Sequence, residues 1–65
     1  MRFTIEVVRA AEAEPEAVLH RTIIDEISPR RAKTKADQLW SVWRGRGAII
    51  VRVLNPRGEE LYAKT

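Results

Sequence analysis

Cysteine is absent from the 65 residues, so no disulfide braces the fold and no thiolate can bind a metal or attack a substrate. One histidine is present, His20, without a Cys, His or carboxylate partner at metal-ligand spacing. Beside His20 the chain offers only acids and Tyr62, a poor setting for activating a Ser or Thr nucleophile. The three glycines form no phosphate-cradling loop. We therefore expect a protein that is not an enzyme, with no metal and no cofactor. No run of about 18 apolar residues exists to cross a membrane. The opening MRFTIEVVR lacks the apolar core and small-residue cleavage site of a secretion signal. A cytoplasmic location with no membrane partner is the expectation.

What is present is charge, unevenly spread. Lys and Arg total 12 against 9 Asp and Glu, a net of +3. Residues 1–27 carry three basic and six acidic side chains, a net of −3; residues 28–47 carry six against one, a net of +5. The basic character thus belongs to one segment, a statement about surface field rather than fold. A single domain over residues 1–65 is expected, of a size that buries only about 60% of its unfolded surface.

Residues 1–9 alternate, with Phe3, Ile5 and Val7 on one face and Arg2, Thr4 and Glu6 on the other, as a half-buried strand does. Residues 10–17, AAEAEPEA, read as an exposed acidic connection. Residues 18–27, VLHRTIIDEI, admit two readings. Leu19, Ile23 and Ile27 recur at helical spacing, while Val18, Thr22, Ile23 and Ile24 are β-branched. A strand over 18–24 is the expectation, because the first strand needs a neighbour.

Ser28 and Pro29 suit the N-cap and first position of a helix. Ala32, Ala36, Leu39, Trp40 and Trp43 then form one apolar stripe, and Gly45 sits where a left-handed residue would end the helix. AIIVRVL (48–54) alternates as a strand, and Asn55-Pro56-Arg57-Gly58 has type I turn chemistry leading into a strand over 59–64. The expected fold is α+β, ββαββ: a four-stranded antiparallel sheet in order 2-1-3-4 with one helix packed on one face.

The start MRFTIEV, the helix alanines Ala32 and Ala36, and the ending IIVRVLNPRGEELY resemble a group of short uncharacterised bacterial proteins. The resemblance implies a β-β-α-β-β layout and carries no activity. This chain departs from the group in lacking an Asp-X-X-Gly-type turn between its first two strands.

Two functional expectations follow. One helix covers one sheet face, so Phe3, Ile5, Val7, Val51, Val53 and Leu61 are assigned to the helix side. Val8, Ile24, Ile50, Leu54 and Tyr62 are left as an open partner surface, interrupted by Arg21, Arg52 and Lys64. The first expectation is accordingly a small interaction module that self-associates as a homodimer or docks a protein partner there. The second is weak nucleic-acid binding through the basic helix 29–46, by Arg30, Arg31, Lys33, Lys35, Arg44 and Arg46. On a helical wheel Arg30, Lys33 and Arg44 share one flank, and Arg31 and Lys35 the other. Arg30 and Arg31 sit where the helix dipole favours acids, with Asp25 and Glu26 at hand to neutralise them.

Overall fold

The computed structural model describes residues 1–9, 17–47 and 49–65. The expected connection over 10–17 lies almost wholly outside them. Strand β1 runs Arg2–Arg9, β2 Ala17–Asp25, the helix α1 Pro29–Trp43, β3 Ile49–Leu54 and β4 Glu60–Lys64. The sheet order is β2-β1-β3-β4, with every neighbouring pair antiparallel. This is the expected fold, and the strand expected over 18–24 lies within β2. No described helix is long and apolar enough to cross a membrane.

Each element begins and ends for a local reason. Ser28 is extended (φ −152°, ψ 156°), and its hydroxyl accepts the Arg31 N–H, satisfying one of the free donors of the first turn. The helix ends at Trp43 in a short 3₁₀ turn, Arg44–Arg46, and Gly47 takes the positive φ of 116°. Gly45, expected in that role, lies inside the 3₁₀ turn and does not have a positive φ. The β3–β4 turn closes as expected. Gly58 donates its N–H to the Asn55 carbonyl, and the Asn55 side-chain oxygen accepts from Arg57 and Glu59.

The core is a thin layer between α1 and the sheet. Phe3, Ile5, Val7, Ile49, Val51 and Val53 meet the fully buried Ala32 and Ala36. The two alanines let the helix backbone lie close to the strands, and Leu39, Trp40 and Trp43 pack around them half-buried. The helix sits over β3 and β1 and reaches β4, leaving β2 largely uncovered. That lateral offset creates the groove described next.

Two bulges correct the expected faces. A register shift between Val53 and Leu54 places Tyr62 opposite Val53, on the helix side, and turns Leu61 outward at 40% exposed. Ile24 lies opposite Phe3 and also packs against the helix-side core. Lys64, opposite Val51, stands on the helix side rather than interrupting the other face. A second shift between Val7 and Val8 puts Val18 opposite Val8.

Candidate functional site

Five residues assigned to an open partner surface do not form one. Ile24 and Tyr62 belong to the helix side, and Val8 is fully buried. Ile50 and Leu54 remain, half-buried, with Ile23 and Leu61 exposed nearby on the same face. A row of charge crosses this face. The cross-strand register aligns Arg21, Glu6 and Arg52 on three neighbouring strands. Glu6 Oε2 accepts from Arg21 Nε at 2.7 Å and lies 2.6 Å from Nη2, while Oε1 accepts from Arg52 Nε at 2.9 Å. Glu6 is only 4% exposed. Burial alone would raise its pKa, but the hydrogen bonds and charges of both arginines outweigh it and hold the carboxyl below the usual range. The signal was legible only in part: all three residues have outward parity, yet nothing in the chain announces their alignment.

The six helix cations divide between two flanks. On the β4 flank, the Lys33 ammonium lies 5.6 Å from the Tyr62 ring centre. The Trp40 ring meets Arg44 at 5.4 Å and Lys64 at 4.8 Å. Asp37 balances this flank: it accepts the Tyr62 hydroxyl at 2.7 Å and lies 3.9 Å from Lys64. That hydrogen bond, then burial and the Asp37 charge, raise the Tyr62 pKa above its ordinary value.

On the β2 flank the balance differs. Glu26, Arg30, Arg31, Thr34, Lys35 and Gln38 line a cleft of about 440 Å³ beside the helix start. Lys35 and Gln38 also line a second cleft of about 380 Å³, floored by Ile5, Thr22 and Ile24 and walled by Leu39 and Val42. The two clefts share Lys35 and Gln38, so they adjoin along α1, and the second reaches across to β2 to form a groove there. His20 stands at its far end, stacked on Trp43 with centroids 5.8 Å apart, and Arg46 covers Trp43 at 4.7 Å. From Arg30 to Trp43 the helix spans about 20 Å at 1.5 Å per residue. Along it, among the described residues, only Arg31 has a carboxylate partner, Glu26 at 3.4 Å. Asp25, the other acid expected to answer these arginines, takes the Met1 ammonium at 3.1 Å instead. Arg30 lies with Arg31 at the groove mouth, not on the flank of Lys33 and Arg44 as the helical wheel implied.

The outward strip of the helix is a poorer reader of bases. Thr34 and Ser41 donate their hydroxyl protons to the Arg30 and Asp37 carbonyls within the helix, and Asp37 itself repels phosphate. Among the described residues no His, Cys, Asp and Glu cluster has the makings of a metal site. Comparisons with protein-family models, with curated proteins and with solved structures gave no match.

Proposed function

We infer that this chain is a small non-catalytic binding module whose α1–β2 groove takes single-stranded nucleic acid in a cytoplasmic setting. One observation carries the reading. Arg30 and Lys35 line two adjoining clefts without a carboxylate partner among the described residues, His20 lines the second, and Arg46 lies over the Trp43 ring that stacks on His20. Single strands are held by this combination: cations that track phosphates and an aromatic group on which a base can stack. The offset of the helix from β2 leaves a cleft of about 380 Å³ in which an unpaired nucleotide can lie. Lys33 and Arg44, placed on the opposite flank over the Tyr62 and Trp40 rings, are outside the contact.

The test is a fluorescence-anisotropy titration with a labelled single-stranded oligonucleotide at two salt concentrations. Three phosphate contacts give a slope of about −2 in log K against log salt, so a fourfold rise in salt weakens binding about 15- to 20-fold. Binding is lost in the Arg30→Ala, Lys35→Ala, Arg46→Ala triple variant and retained in Lys33→Ala, Arg44→Ala. No anisotropy change at low salt overturns the reading. A second reading keeps the open sheet face as a protein-docking surface, favoured by exposed Ile23 and Leu61 beside Ile50 and Leu54. Its mark is a partner lost on Leu61→Lys while the groove variants still bind it.

A further inference from the structure

The two edges of the sheet are guarded differently. β4 is five residues long and has Glu60 and Lys64 at its ends, short and charged as edges that avoid pairing are. β2 runs nine residues, AVLHRTIID, without proline or lysine. Among the described residues no strand pairs with its outer edge, which leaves that row of N–H and C=O groups as a template for another strand.

The side chains along that edge are self-complementary. Arg21, Ile23 and Asp25 pair with Glu6, Thr4 and Arg2 of β1, which puts all three on the face away from the helix. Ile23 is 66% exposed there. Reversed about Ile23, the row matches itself: Arg21 meets Asp25, Ile23 meets Ile23, and Asp25 meets Arg21. Thr22 and Ile24 exchange in the same way on the helix face. Shifting the centre to Thr22 sets Arg21 against Ile23, and centring on Arg21 sets two guanidinium groups together. The Ile23 register, unlike these two, sets opposite charges against each other and pairs Ile23 with itself.

We propose that a second copy of this chain pairs antiparallel along β2, with the two-fold axis through Ile23 and perpendicular to the sheet. Arg21 can reach across, since its side chain remains 59% exposed while bonded to Glu6. Asp25 is more open still at 80%, with the Met1 ammonium as its neighbour. An axis in this direction keeps both helices on one face of an eight-stranded sheet. The two grooves then share a floor of β2 strands, and each copy closes the side that the other leaves unwalled. Pairing does not depend on what the groove binds, so the two ideas fail separately.

Sedimentation equilibrium without nucleic acid tests it. The wild-type chain runs at twice 7.5 kDa, and Ile23→Lys returns it to 7.5 kDa with an unchanged circular-dichroism spectrum. The dissociation constant rises by at least roughly tenfold. In a chain without cysteine, Ile23→Cys reports the register directly, because directly opposed Cβ atoms lie about 4.5–5.5 Å apart. Mild oxidation cross-links Ile23→Cys and leaves Leu61→Cys, exposed at the other edge, as monomer. A wild-type monomer at millimolar concentration overturns the proposal. So does a dimer that survives Ile23→Lys, or one that cross-links through Leu61→Cys and not through Ile23→Cys.

Discussion

Replacing Glu6 by Gln isolates the charge row on the open face. The carboxylate makes three contacts of 2.6–2.9 Å with two guanidinium groups and is almost fully buried. The amide of Glu6→Gln keeps the shape but turns an N–H₂ toward one arginine and removes the charge between two cations. Breaking a buried ion pair from one side costs about 3–5 kcal/mol when the orphaned charge stays buried. Here Arg21 is 59% exposed and can turn to water, while Arg52 at 28% is less able to do so. A discounted loss of about 2–3 kcal/mol follows, against a total of about 3–10 kcal/mol for a domain of this size. With a urea slope near 1 kcal/mol/M, the unfolding midpoint drops by about 2–3 M. The pH dependence supplies a second reading of the same quantity. Because folding lowers the Glu6 pKa, the unfolded chain binds the proton more readily. The stabilisation is therefore complete above the usual carboxylate range and disappears as pH falls through the lowered value. Urea melts of both proteins from pH 7 down to pH 2 should show the gap closing, since a protonated Glu6 is as neutral as the amide. Equal stability at pH 7, or a gap that does not narrow as the pH falls, refutes the reasoning.

Three further outcomes follow from packing and local geometry. Gly47→Ala puts a side chain at φ 116° in open space, so backbone strain alone acts, lowering the melting temperature by an amount equivalent to about 1 kcal/mol or more. Asp37→Asn weakens the acceptor that keeps the proton on Tyr62, so an ultraviolet titration of this single tyrosine moves back toward its ordinary value. Ile5→Val removes one methylene from the fully buried core and costs about 0.5–1.5 kcal/mol in denaturant unfolding.

The elements were legible because each has a strong local signature. Period-two alternation marks β1 and β3, and Ser28-Pro29 marks the helix start. The faces were less so, because parity counts residues and a bulge adds one. Between Val53 and Leu54 the extra residue exchanged Leu61 for Tyr62 on the core side. The groove was hidden for a different reason. A helical wheel fixes which residues share a flank of α1, but not where that flank lies over the sheet. Displacement of the helix away from β2 is a packing outcome of the whole layer, in which Ala32 and Ala36 join one core with Val51 and Val53. Only that displacement makes Lys35 and Gln38 face Thr22 and Ile24 across a channel. The arginines of the first helical turn resolve in the same way: Glu26 answers Arg31, and Arg30 stands at the channel mouth.

The most direct test of the groove reading is a ¹⁵N–¹H correlation spectrum recorded through a titration with single-stranded oligonucleotide. Shifts concentrated on Arg30, Lys35, Gln38 and Arg46 of the helix side, with His20 and Thr22 of β2 and the Trp43 indole, are the predicted result. Shifts confined to Lys33, Arg44 and Lys64, or to Ile50, Leu54 and Leu61 on the opposite face, contradict it.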